Sequence, residues 1–200
     1  MGYIQHLISQ QAFEVIRDRI GEILADEFDN AFIWSYNTLF DEVKVWKERF
    51  IPLDKTECPS VNVALASGDY GNKNQGSVDG DYAFAIDVYT NSADEGNISG
   101  DTLAMIKNHT LVGAIRAILE DNVYRTLKFN PPFIARTGIA GFKVADIGEK
   151  KGGLHTFMSR LIFKVNAPET TLPIPANVLA GYVTQVKLHE TEKGFYWGGE

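Results

Sequence analysis

Asp81-Tyr-Ala-Phe-Ala-Ile-Asp-Val-Tyr89, then a polar turn, then Asp101-Thr-Leu-Ala-Met-Ile-Lys-Asn-His-Thr-Leu-Val-Gly-Ala-Ile-Arg-Ala-Ile-Leu-Glu120 holds the clearest structural signal in the chain. In the first part Tyr82, Phe84, Ile86 and Val88 fall on one side of an extended backbone and Ala83, Ala85, Asp87 and Tyr89 on the other. That period of two predicts a strand over 81–89 with one face buried. The small alanines of its second face allow close approach by a helix of this chain or by a neighbouring subunit. In the second part Leu103, Ile106, Leu111, Ala114, Ile115, Ile118 and Leu119 recur at helical spacing, with Lys107, Asn108, Arg116 and Glu120 outside the stripe. An amphipathic helix over 101–120 is expected after the turn Asn91 to Gly100. Asp101 suits its N-cap because a carboxylate accepts from the unpaired first-turn N–H groups, and Ser99 is the alternative.

Upstream, Ile4, Leu7, Ile8, Ala12, Val15, Ile16, Ile23 and Leu24 predict a helix from about Tyr3 to Asp26. Val43, Val45 and Trp46, in a run ending at Pro52, predict a strand, and Val61, Val63 and Leu65 predict another. Ser67 to Gly80 is nearly devoid of apolar residues and rich in glycine, so a long loop is expected there. Downstream, Asn130-Pro131-Pro132 breaks any helix, and Ile139, Phe142 and Val144 between glycines suggest a short or bulged strand within Gly138 to Ile147. A second polar loop, Glu149 to Gly153, leads into a strand from Phe157 to Val165. Arg160 or Lys164 would face Asp87 if this strand pairs antiparallel with 81–89. Thr170 to Pro175 reads as a crossover, and Tyr182, Thr184, Val186 and Leu188 as a last strand before the tail Gly194 to Glu200. The expected class is α+β: a mixed, mainly antiparallel sheet packed against two main amphipathic helices, as a single domain over 1–200 with flexible loops near 67–80 and 146–154.

Composition narrows the function. With 44% hydrophobic and 22% charged residues the chain is that of a folded protein. A formal charge of −7 and a pI near 5.1 argue against a protein whose task is to grip phosphates, which takes clustered Lys and Arg. Met1 to Phe28 is interrupted by Glu14, Arg17, Asp18, Arg19 and Glu22, so neither a signal peptide nor a membrane span is expected there.

Searching for chemistry gives mostly negatives: no phosphate-binding glycine loop, no Gly-x-Ser-x-Gly elbow and no His-Glu-x-x-His. No catalytic, cofactor-binding or metal residues are assigned. Asp69, Asp79, Asp81 and Asp87 are the best candidates for a cation or acid–base site, because hard cations need several carboxylates around one point. Turn formation and solvation explain them more simply. The alternative of another class is a metal-dependent hydrolase using Asp79, Asp81 and Asp87, and a small-molecule module with a pocket between the two helices and the sheet is a third. His6, His109, His155 and His189 fall on separate elements. Cys58 alone forms no intrachain disulfide and reads as a small hydrophobe. The sequons at Asn97 and Asn108 lack a secretory context. Tyr124, Phe129, Phe133, Phe195, Tyr196 and Trp197 have few cations near them, so core packing or a subunit contact outranks base stacking.

The order of these elements resembles the tail terminator, or tail-completion, proteins of long-tailed bacteriophages. Tyr82-Ala-Phe-Ala-Ile-Asp-Val-Tyr89, the alanine-bearing helix ending in Ile118-Leu119, and the late strand Arg160-Leu-Ile-Phe-Lys-Val165 carry the likeness, which spans Ile4 to Val165. The resemblance implies a virion protein made in the host cytoplasm and placed at the head-proximal end of the tail. It implies a homo-oligomeric, usually hexameric ring that caps the tail tube protein and halts its polymerisation. The ring also offers a docking surface to the head connector or neck protein, and genomic double-stranded DNA passes through it unread. Phe28 to Leu53 and the residues after Asn166 exceed the family's usual length, which leaves a head–tail connector or neck protein as the alternative.

Overall fold

The alternating stretch forms strand β3, Asp79–Ala93, which pairs antiparallel on one side with β2 (Ser60–Tyr70) and on the other with β5 (Leu154–Pro168). The computed structural model describes residues 10–35, 37–49, 57–71, 79–146, 154–168, 183–186 and 195–198. Across the sheet the order is β1-β2-β3-β5-β4, with β1 (Lys44–Lys47) parallel to β2 and β4 (Arg136–Asp146) antiparallel to β5. Two long helices, α1 (Ala12–Ser35) and α3 (Gly100–Glu120), cover one face, and a single turn, α2 (Thr38–Asp41), follows α1. The fold is α+β with a mixed, mainly antiparallel sheet, as the patterning implies.

The core lies between the helices and that face. Val61, Val63, Tyr82, Phe84, Ile86, Val88, Leu161, Phe163 and Val165 meet Ile16, Ile20, Leu24, Leu111 and Ile115, all buried. The helix expected from Tyr3 has its first residues outside the described ones. Within them it begins at Ala12, where the Glu14 carboxylate accepts from the Gln11 N–H at 2.8 Å. It also runs past Asp26 to Ser35, because Phe28 continues the buried stripe and stacks on Phe40 with ring centroids 6.0 Å apart.

Ser99 is the N-cap of α3, and Asp101 sits inside the first turn. The Asp101 carboxyl is held below the ordinary carboxylate range, first by the Ser99 hydroxyl and then by the Thr102 N–H at 2.7 Å. Gly100 lets the helix start against the sheet, since a Cβ there would stand 2.6 Å from the Ser92 carbonyl oxygen. The buried seam is Gly100, Ala104, Asn108, Leu111, Ile115 and Leu119, so Ile106, expected on the stripe, is 52% exposed and Asn108, expected outside it, is buried. Asn108 is satisfied there: its amide donates to the Val88 carbonyl at 3.0 Å, and its oxygen accepts from the buried Ser159 hydroxyl. Thr90 donates to the Ala104 carbonyl at 2.7 Å. These bonds fix the register of α3 on β3 and β5.

The loop expected over Ser67 to Gly80 is smaller than its composition suggests. β2 continues through Ser67 to Tyr70 and β3 begins at Asp79, leaving 72–78 outside the described residues. Backbone pairing extends a hairpin without apolar side chains, and Ser67 to Tyr70 are exposed. β4 is bulged between Ile139 and Gly141, as expected, but is eleven residues long. The Glu149 to Gly153 loop and the Thr170 to Pro175 crossover lie outside the described residues. The last expected strand is β6 (Val183–Val186), and its partner β7 (Phe195–Gly198) occupies what reads as a tail. The pair forms a separate two-stranded sheet because each needs a ladder partner.

Replacing Asn108 by Ala strands the Ser159 hydroxyl and the Val88 carbonyl in a buried site. A loss of about 2 kcal/mol is expected in urea unfolding, against less than about 0.5 kcal/mol for exposed Thr110→Ala.

Candidate functional site

The sheet face away from the helices carries the polar chemistry. Opposed register pairs place Trp46, Asn62, Asp87, Arg160 and Lys143 in one row across all five strands. Asp87 faces Arg160, one of the two cations expected opposite it, while Lys164 faces Ala83. The contact is bidentate, with the Arg160 Nε and Nη2 groups donating to the two carboxylate oxygens at 2.6 and 2.8 Å. Asp87 faces away from the helices, as expected, yet it is not an outward acid: it is only 4% exposed, while the Arg160 side chain is half exposed and lies over it. The Asp87 hydrogen bond holds the Arg160 guanidinium more firmly charged than usual. Burial, and then the Asp87 carboxylate, pushes the neighbouring Tyr89 phenol above its ordinary value. Along the row the Asn62 side chain exchanges two 3.0 Å hydrogen bonds with the Arg49 backbone, and the Arg49 guanidinium lies over the Trp46 ring, 4.5 Å from its centroid.

The four acids that were the best candidates for a cation site do not converge. Asp81 and Asp87 are six residues apart on one strand, about 20 Å at the usual rise. Asp81 accepts from the Asn166 amide at 2.7 Å, and Asp69 lies across from Asp81. Asp79 sits at the exposed start of β3. Among the described residues no group of three His, Cys, Asp or Glu side chains is placed to hold a metal ion. Asp69 and Asp81 instead share an open recess of 660 Å³ with Arg136, Lys164 and Asn166. The pocket imagined between helices and sheet is filled by Ile16, Ile20, Leu24, Leu111 and Ile115.

The other candidates have local roles. His109 meets Phe157 edge-on at 6.0 Å, and His155 Nε2 stands 3.6 Å from Asp94, while His6 and His189 lie outside the described residues. Cys58 is half-buried. Asn108 is buried, which removes its sequon. Tyr124 and Phe133 are in the core with Phe129 packed against it, the last two with centroids 4.6 Å apart. Asn62, Arg49 and Asn166 were not singled out by patterning, because hydrophobic period marks apolar burial and is silent on polar side chains that satisfy one another.

A second recess, of 430 Å³, opens between α3 and β4, lined by His109, Val112, Gly113, Ile139 and Phe142 among others. Phe142 and Val144 beside it are 59% and 49% exposed. No helix among the described residues is long and apolar enough to cross a membrane.

No family model matches this chain, and no curated protein matches it. Among solved structures it is similar to a chain from the virion of a native gene transfer agent particle, at 11% identity and a TM-score of 0.36, covering 67% of this chain and 84% of that one. A likeness of that degree is too loose to assign a family or a function.

Two outcomes follow from the geometry. Arg160→Ala leaves the Asp87 carboxylate buried without its partner and should cost about 2 kcal/mol in chemical denaturation, while Lys164→Ala should cost less than about 0.5 kcal/mol. Calorimetric titration with Mg²⁺, Mn²⁺ or Zn²⁺ should show no saturable binding; tight binding lost in Asp81→Ala would revive the hydrolase reading.

Proposed function

We propose that this chain is a structural virion protein, a tail terminator whose closed ring caps the tail tube and presents a docking surface to the head connector. The observation that supports this reading is the path of the chain through one sheet. Helix α1 is followed by β1 and β2, an extended hairpin into β3, helix α3 on the same face, and then β4 and β5. That course contains the order by which the sequence resembles the tail terminator family: an N-terminal helix, two strands, a loop, then β3, α3 and the late strand β5. A ring is built from copies related by rotation, with one edge of each protomer meeting a different edge of the next. Such a cap halts tube growth because its outer surface does not repeat the surface on which tube subunits add. The net charge of −7 suits passage of double-stranded DNA, since 26 acids outnumber 19 Lys and Arg. The β2–β3 hairpin, with its exposed polar ends, is the element suited to reach a neighbouring ring or tube.

Solution mass and negative-stain imaging of the purified chain test the reading. Rings of about six 22.2 kDa chains that bind tube ends and stop their elongation are expected. A stable monomer that neither closes rings nor binds tubes would overturn it. A ring that joins heads to tails yet leaves tube length unregulated would assign the chain to the neck or connector instead.

A further inference from the structure

The two edges of the sheet are built differently. β1 is four residues long and begins and ends with lysine, the kind of short cationic edge that discourages strand addition. β4 is eleven residues long, and no described strand pairs with its outer side. Phe142 and Val144 stand exposed on its helix-side face. Beside them, a Cβ added at Gly113 or Gly141 would meet nothing within 4 Å among the described residues, so no described side chain fills the recess between α3 and β4.

Charge divides in the same direction. Residues 10–49 hold nine acids against five cations, and residues 107–146 hold six cations against three acids. Helix α1 packs on β1 and β2, whereas α3 reaches β4, so acid gathers on the helical flank of α1 and α2 above the β1 side of the sheet and base at the β4 edge. Asp26, Asp29 and Ile33 share one exposed face of α1 at helical spacing, with Ile33 62% exposed, and Asp41 and Glu42 are exposed in and just after α2. None of these four acids has a side-chain partner among the described residues. Arg125, Arg136 and Lys143 at the opposite edge also lack side-chain partners there, Arg136 and Lys143 lying on the other face of β4 from Phe142 and Val144, so a molecule against this edge meets both. The Thr137 hydroxyl, donating to the Arg125 carbonyl at 3.3 Å, keeps Arg125 beside the start of β4.

We infer that the β4 edge, with the recess beside α3, receives the α1–α2 flank of a second copy of this chain. Ile33 meets the exposed apolar side chains of β4, and Asp26, Asp29, Asp41 and Glu42 meet Arg125, Arg136 and Lys143. Each protomer then offers one complementary surface at either edge, and association runs head to tail. The inference deepens the ring reading and rests on it only for closure.

Sedimentation velocity on the full chain tests the contact. The wild type should assemble, while Phe142→Lys and the double variant Arg136→Glu/Lys143→Glu should each weaken association at least about tenfold with unchanged thermal melts. Asp26→Lys/Asp29→Lys should do the same. An equimolar mixture of the two charge-reversed doubles should reassemble as alternating oligomers, which a folding defect would not produce. Wild-type assembly that survives all three variants would overturn this contact and leave the ring reading standing. A wild type that stays monomeric at every concentration would overturn this contact, and the ring reading with it if the chain also fails to bind tube ends. Slow hydrogen exchange along the outer edge of β4 in that monomer would identify this chain's own residues as its cover.

Discussion

Strand β3 is buried on both faces near its middle, and the rest of the structure follows from how it meets that condition. Tyr82, Phe84, Ile86 and Val88 lie in the apolar core, and between the last two Asp87 lies nearly as deep on the other side. A strand slipped by one residue would carry Asp87 under α3 and turn four large apolar side chains toward the polar face. The bidentate Arg160 contact is therefore a statement about register as much as an ion pair. It holds a carboxylate that would otherwise lose its hydration, and it does so only when β3 and β5 are aligned as observed.

That alignment fixes the helices in turn. Asn108 bonds to Val88 and Ser159, adjacent to the Asp87–Arg160 pair in sequence but on the opposite face. The sheet is thus clamped at one level from both sides, by a charged pair below and a neutral network above. Helix α1 is tied more peripherally. Arg17 pairs with Glu48 just past β1, and Arg19 donates to the Leu127 carbonyl at 3.1 Å. These bonds connect α1 to the β1 edge and to the chain segment that leads from α3 to β4.

Much of this was legible in residue order, and the exceptions share a cause. The alternation in 82–88 and 157–165 marked both central strands, and opposite charges pointed to Arg160 or Lys164 as a partner for Asp87, between which only the observed register chooses. The hairpin ends at Ser67 to Tyr70 were hidden because backbone hydrogen bonds, not apolar side chains, extend them. Asn108 read as a surface residue because a polar side chain in a helical seam breaks the pattern, although its hydrogen bonds satisfy it. β7 was hidden because its four residues, in a glycine-bearing tail, are too few to show an alternation, although its ladder partner β6 is the strand just before it. The candidate acids were easy to find and hard to place. Sequence supplies their chemistry but not the strand rise that separates Asp81 from Asp87.

The clamp on β3 also bears on assembly. A head-to-tail contact closes into a ring only when each copy turns the next through the same angle; a compliant protomer gives open chains of varied curvature instead. In this protein the acidic flank rides on β1 and β2, and the exposed edge β4 is carried by β5. The two surfaces are joined through β3, where Asp87 and Asn108 pin the pairing and the overlying helix. The angle between them is then set inside the protomer by buried, satisfied polar groups whose rearrangement is costly. The protein spends polar side chains on the register of its central strand, and no described strand pairs with the outer side of β4, so the two surfaces of the inferred contact are carried on one well-pinned sheet.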